Sequence, residues 1–352
     1  MVDQSGLSAA VPANILPIPS LAIIGAGNWG TTLALLQARA GRPVLLCART
    51  PERAARLAAD RENRAWLPGV GFPPLLSVAA GYAEAARAEL IVIAVPSEHL
   101  KAACGDLRLR IRPEHRLVSA TKGLEVGSGK RVSTIIGEVL PEAAGDLCVL
   151  SGPNLAGEIA AGLPAAAVLA GAGPSLGENA AALATRLFRL YTSDDLIGVE
   201  LGGALKNVVA LAAGICDGLR MGLNSKAAIV TRGMAEIVRL GVACGAQPAT
   251  FAGLSGYGDL FATCVSPSSR NHSVGEQLGR GRSLEEIRRE MTMVAEGVPT
   301  ARAALVLAAR HGVELPITEQ VCEVLFGGRD PRSAMDALLS RSAGHEDAGA
   351  AR

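Results

Sequence analysis

The chain has 352 residues, 49% of them hydrophobic, which is too long for one typical core and ample for two. Its 34 basic and 33 acidic residues leave a formal charge of +1, which excludes a global field that would gather nucleic acid or an anionic membrane. Seven cysteines (Cys47, Cys104, Cys148, Cys216, Cys244, Cys264 and Cys322) form no C-x-x-C pair and no His/Cys cluster. That argues against a zinc site or a disulfide framework, and for a reducing compartment, the cytoplasm.

Residues 1–19 carry Pro12, Pro17 and Pro19 but no basic segment leading into a long apolar run, and read as a flexible leader. Short β-branched runs then recur at 20–25, 43–47, 90–95, 116–119, 147–150 and 165–170, and predict strands. Alanine-rich stretches at 30–40, 51–60, 97–104 and 175–187 predict helices between them. Such alternation indicates a parallel sheet covered on both faces. From about residue 199 the period becomes helical throughout, with segments at 199–219, 225–244, 284–290, 300–311 and 317–326. The expected architecture is α/β: a doubly wound sheet over 20–198, an all-helical domain over 199–340, and a disordered tail over 341–352. No uninterrupted apolar stretch of about 20 residues predicts a membrane span.

The first strand runs directly into Gly25-Ala26-Gly27-Asn28-Trp29-Gly30, which opens a helix. In that setting G-x-G-x-x-G has a mechanical meaning. Gly25 permits the tight turn, Gly27 lets backbone approach a pyrophosphate, and Gly30 lets helix and strand pack closely. The phosphates then sit on the positive end of the helix, so the first domain reads as a Rossmann-type NAD(P) site. The end of the second strand selects the cofactor. An NAD-selective site usually places a carboxylate there to grip the ribose 2′-hydroxyl. This chain has Arg49, with Arg53 one turn on, which suits a 2′-phosphate and favours NADP.

Only five lysines occur: Lys101, Lys122, Lys130, Lys206 and Lys226; every other basic residue is arginine. Lysine, unlike arginine, can exchange its proton in a reaction, which singles out the lysines. Within 199–219, Leu201, Leu205, Val208, Ala212, Ile215 and Leu219 form a helical core stripe. Lys206 shares another face with Gly202, Gly203, Ala210, Ala213, Gly214 and Asp217. Two readings fit that face. It is a groove open to cofactor or substrate, with Lys206 as proton donor to a ketone, or it is a tight helix–helix contact with Lys206 at its edge.

The run GALKNVVALAAGICDGLRMGLN (203–224) resembles the signature segment of the NAD(P)-dependent glycerol-3-phosphate dehydrogenases. Other pieces follow in that family's order: GAGNWG (25–30), NRAWLPG (63–69), IAVPS (93–97), ATKGLE (120–125), SGPNLAGEIAAGLP (151–164), GDL (258–260), TCVSPSSRN (263–271), VAEG (294–297) and LPITE (315–319). The resemblance spans about residues 20–326. It implies NAD(P)H-dependent reduction of dihydroxyacetone phosphate to sn-glycerol 3-phosphate, the backbone of glycerophospholipids, by a cytoplasmic enzyme that acts on a small phosphorylated triose. A homodimer is one candidate assembly, but an apolar helix face meets a partner or its own domain equally well, so the sequence does not decide it. By the same resemblance Lys206 is the acid/base, and Lys122 touches both cofactor and substrate. Gly152, Asn154, Asp259, Ser269, Arg270 and Asn271 contact substrate, with Arg270 clasping the phosphate and reaching the cofactor. Ala156, Val294 and Glu296 contact the cofactor, the last two near the nicotinamide; Asn28, Trp29 and Arg49 meet its other end.

The chain departs from the family's pattern at Asn154, where Ser or Thr is common in bacterial members, at Trp66 in place of Tyr, and at Leu254–Tyr257 before GDL. Two other readings are a related hydroxyacid or ketopantoate-type reductase, whose carboxylate substrate would also suit Lys122 and Arg270, and a non-catalytic NADP sensor. A sensor has no need of Lys206 and Asp259. The five histidines are scattered, so none is assigned to catalysis.

Overall fold

The computed structural model describes residues 19–291 and 295–341. The expected leader up to residue 18, the tail from 342, and Val294 lie outside the described residues.

In chain order the first part comprises β1 (Leu21–Ile24), α1 (Asn28–Arg39), β2 (Val44–Ala48), α2 (Pro51–Asp60), β3 (Leu76–Ala80), β4 (Leu90–Ile93), α3 (Leu100–Leu107), β5 (Arg116–Ser119), α4 (Val132–Val139), β6 (Cys148–Ser151), α5 (Ala156–Ala160), β7 (Ala165–Ala170), α6 (Leu176–Leu183) and β8 (Phe188–Ser193). The strands form one sheet in the order β3-β2-β1-β4-β5-β6-β7-β8. The six strands from β3 to β6 are parallel; β7 runs antiparallel to β6 and pairs in parallel with β8. A wholly parallel sheet was therefore too simple an expectation.

Alternate residues of β1 go to opposite faces. Leu21 and Ile23 join one core and Ala22 and Ile24 the other, all at most 3% exposed. Strand order reverses between β1 and β4, and such a switch point opens a crevice at the carboxyl ends of the strands.

The second part is helical: α7 (Leu196–Gly218), α8 (Gly222–Ala243), α9 (Asp259–Val265), α10 (Arg270–Gly279), α11 (Leu284–Glu290), α12 (Gly297–His311), α13 (Pro316–Phe326) and α14 (Pro331–Leu339). The hub is α7, begun by Asp195, whose carboxylate accepts from Gly198 N at 2.9 Å, Gln247 N at 2.8 Å and the Thr250 hydroxyl at 2.6 Å. Every residue from Gly198 to Cys216 is buried, so the helix is enclosed all round and not along one stripe. Among the described residues it is the one helix long and apolar enough to cross a membrane, and 89% of that window is buried inside the molecule.

The small residues of α7 are spent on close backbone packing. A Cβ at Gly214 would fall 2.1 Å from the His272 carbonyl oxygen of α10, and one at Gly202 would fall 2.8 Å from that of Ser255. The open-groove reading of that face is thus corrected: it is a packing face against α10 and residues 254–258. Buried Glu200 of α7 ties the two parts together, accepting from Arg131 at 2.5 Å and from the amide and hydroxyl of Ser133, both at 2.7 Å, at the start of α4.

Candidate active site

The glycine turn lies at the carboxyl end of β1. Gly25 adopts φ +105°, and a Cβ there would strike the Ala94 carbonyl oxygen at the end of β4. A Cβ at Gly30 would fall 1.9 Å from the Gly25 oxygen, so helix and turn meet without a side chain between them. At Gly27 a Cβ would meet no described atom within 4 Å, which leaves that backbone open to a ligand. Beside it, the buried Asn28 Oδ1 has no protein partner among the described residues. This cradle of open backbone, helix N-terminus and unmatched acceptor fits a dinucleotide pyrophosphate and ribose.

The other cofactor positions fall around the same crevice. Trp29, half-buried beside the glycine turn, sets its ring edge-on to Phe188, centroids 6.3 Å apart, and packs against the core of the first part. Ala156 opens α5 and accepts from the Thr32 hydroxyl of α1 at 3.3 Å. Arg49 is exposed at the end of β2.

Lys122 follows β5 and Gly152 follows β6, at the same end of the sheet as the glycine turn. Lys122 Nζ donates to Gly152 O at 3.0 Å and to Asp259 Oδ2 at 2.5 Å. From α7, Lys206 Nζ donates to the other oxygen, Asp259 Oδ1, at 2.7 Å and to Thr263 Oγ1 at 2.5 Å. The Thr263 hydroxyl gives its own proton to Asp259 O at 2.7 Å, which fixes it as an acceptor for the lysine. One carboxylate, 2% exposed, thus bridges two ammonium groups. Among the described residues each of those groups has two protein partners, which leaves a third N–H without one. Burial pushes Lys206 down to about 8, opposed by Asp259 and reinforced by Lys122.

Glu296 stands at the start of α12. Burial raises its pKa, while Arg270, Lys122 and Lys206 pull it the other way, so its carboxyl lies within the field of all three cations. Arg270 is exposed at the first turn of α10. Ser269 caps that helix, its hydroxyl accepting from His272 N at 3.3 Å. Asn271 Nδ2 donates to Asn207 Oδ1 at 2.9 Å, and its Oδ1 accepts from Gly297 N at 2.9 Å. That amide chain locks α7, α10 and α12 together. Asn154 Nδ2 donates to Ala166 O at 3.2 Å, which leaves its buried Oδ1 as an unmatched acceptor among the described residues.

Two members of this cluster escaped the reading of the sequence. Thr263 is four residues beyond Asp259 and so on the same helix face, a spacing that could have revealed it. Asn207 follows Lys206 directly, and its role depends on Asn271, 64 residues away.

A dinucleotide crevice at a switch point, with paired lysines on one carboxylate at the same end of the sheet, defines a nicotinamide-dependent oxidoreductase. The models of the NAD-dependent glycerol-3-phosphate dehydrogenase N-terminus and C-terminus match residues 20–176 and 195–336. The chain belongs to that family. It is 45% identical over 327 residues to a glycerol-3-phosphate dehydrogenase [NAD(P)+] of Desulfitobacterium hafniense, covering 93% of this chain and 92% of the relative. A Streptomyces coelicolor relative of the same name is 47% identical over 92% of this chain and 96% of its own length. The crystal structure of glycerol-3-phosphate dehydrogenase from Coxiella burnetii superposes with a TM-score of 0.87 at 35% identity, covering 92% of this chain and all of that one.

Proposed function

We propose that this chain interconverts dihydroxyacetone phosphate and sn-glycerol 3-phosphate, using NADPH in preference to NADH. When bound in the glycine-turn crevice, NAD(P)H would supply the hydride that the carbonyl carbon gains. Lys206 supplies the proton to the carbonyl oxygen: its third N–H has no partner among the described residues, and an ammonium depressed to about 8 gives up a proton near neutrality. Asp259 keeps that ammonium charged enough to act as an acid despite its burial, and Thr263 sets its direction. Lys122 brings a second positive charge to the same centre, where it polarises the oxygen that gains charge. Arg270 holds the phosphate bidentately, and Asn271 fixes the helix that carries Arg270. Asn154 Oδ1, an acceptor with its amide already anchored, receives a substrate hydroxyl.

The observation that carries this reading is the Lys122–Asp259–Lys206 bridge, built from three separate parts of the chain at the carboxyl end of the sheet. The preference for NADPH is supported by Arg49 at the end of β2, where an NAD-selective site usually has a carboxylate. The proposed setting is the cytoplasm, and the proposed assembly a homodimer. The test of the activity is the decay of NADPH absorbance when dihydroxyacetone phosphate is added. Rapid decay supports the reading, and no decay with either reduced cofactor contradicts it.

A further inference from the structure

We propose that Arg53 is a determinant of dinucleotide choice in its own right, a guanidinium held in place to take the 2′-phosphate of NADP(H). The inference rests on the preference for NADPH proposed above and names a second residue that enforces it. Arg53 lies in the first turn of α2, half-buried. Its Nη2 donates to Ala26 O at 2.6 Å, the carbonyl between the first two glycines of the turn. Its guanidinium carbon lies 5.3 Å from the centroid of the Trp66 ring, within cation–π range. The same Ala26 oxygen accepts from Asn63 Nδ2 at 3.0 Å, and Asn63 also donates to the Thr31 hydroxyl at 2.7 Å. The stretch NRAWLPG therefore folds back over the glycine turn and brings Trp66 beneath Arg53.

The charge around Arg53 is unbalanced. Among the described residues no carboxylate lies within ion-pair distance of it, and burial together with Arg56 and Arg49 lowers its pKa, with Tyr82 opposing. A guanidinium whose charge is disfavoured by burial and by neighbouring cations is relieved by a dianion. In a doubly wound sheet the ribose 2′-position comes to the end of β2 while the pyrophosphate sits at the glycine turn. Arg53 touches the glycine turn and shares the end of β2 with Arg49. Arg49 is exposed, so ordering it on a ligand sacrifices side-chain entropy that Arg53 has already given up.

The experiment is calorimetric titration of the full chain with adenosine 2′,5′-bisphosphate and with 5′-ADP. The proteins are the parent, Arg53→Lys, Trp66→Leu and Trp66→Tyr. Lysine keeps the charge but loses the planar fork and the stack. Arg53→Lys is expected to weaken the 2′,5′-bisphosphate roughly 10- to 100-fold, the range of a hydrogen bond to a charged group, and to leave 5′-ADP within about threefold. Trp66→Leu should weaken the bisphosphate selectively by about fivefold, and Trp66→Tyr should restore most of that loss. Retained 5′-ADP binding serves as the control for folding. A parent that does not distinguish the two ligands overturns the NADPH preference itself. A parent preference that survives Arg53→Lys overturns the role of Arg53 and leaves Arg49. Equal loss of both ligands in Arg53→Lys also overturns it, because the residue then only braces the glycine turn.

Discussion

The two ends of the site are built in opposite ways. At the lysine centre the groups satisfy one another in advance: Asp259 engages both lysines, and Thr263 and Gly152 take up further N–H groups. At the proposed dinucleotide end polar groups are left over, with Gly27 backbone open and, among the described residues, Asn28 Oδ1 unmatched and Arg53 without an ion-pair partner while Arg49 and Arg56 disfavour its charge. The difference fits the roles proposed for the two ends. A cofactor end needs affinity for an anion, so it keeps donors and charge uncommitted. A catalytic end needs a proton held in one place at one pKa, so its partners are fixed before substrate arrives.

The comparison is broken most severely by Asp259→Ala, which leaves two ammonium groups close together, one of them buried, without their shared anion. Breaking a buried pair in this way is expected to destabilise the fold by about 3–5 kcal/mol. It should also lower turnover about 10³-fold, with loss of the charged acid. Thermal unfolding and steady-state kinetics check the two effects, and a variant with parental stability would mean that the bridge is not a strong contact.

Arg270→Lys acts at the edge of the centre. It should reduce the ratio of kcat/KM for dihydroxyacetone phosphate over unphosphorylated dihydroxyacetone by about 10- to 100-fold, the range of a charge-assisted hydrogen bond. An unchanged ratio would transfer the phosphate to Lys122. Thr263→Val removes one acceptor from Lys206 without changing volume. Turnover should fall only about tenfold, within the range of one buried hydrogen bond. The pH at which reduction begins to fail should also move down, because the ammonium has lost support. A pH limb that stays in place would show that the Thr263 contact does not stabilise the charged lysine.

These two ends also differ in how far the sequence discloses them. The glycine turn is local: six residues between a strand and a helix state the geometry, and the structure repeats it at Gly25, Gly27 and Gly30. Lys206 stands out in the sequence by the rarity of lysine and by its place on a helix face of small residues. Its partners were not legible from spacing, because Asp259 is 53 residues from Lys206 and 137 from Lys122. The resemblance pointed to Asp259, yet the bridge itself required the fold. The glycine and alanine face of α7 was read as a groove or a helix contact; packing against α10 decides for the contact, since backbone approach and ligand approach demand the same small residues. Strands β3 and β8 were missed for a plainer reason. Each is largely half-buried or exposed, LSVAA and FRLYTS lacking the continuous apolar run that marked the central strands.

The central claim is that burial, opposed by Asp259, sets Lys206 near 8 so that one amine serves both directions of the reaction. The direct measurement is kcat/KM against pH, which reports the free enzyme's acid and base, in both directions, for the parent and Lys206→Arg. Reduction uses the ammonium and should fall as pH rises through about 8, whereas oxidation uses the free amine and should rise through the same value. In Lys206→Arg both rates should drop by about 10²–10⁴-fold, and that shared limb should vanish while dinucleotide binding persists. Near-parental turnover in the arginine variant, or an unchanged limb near 8, would contradict the account.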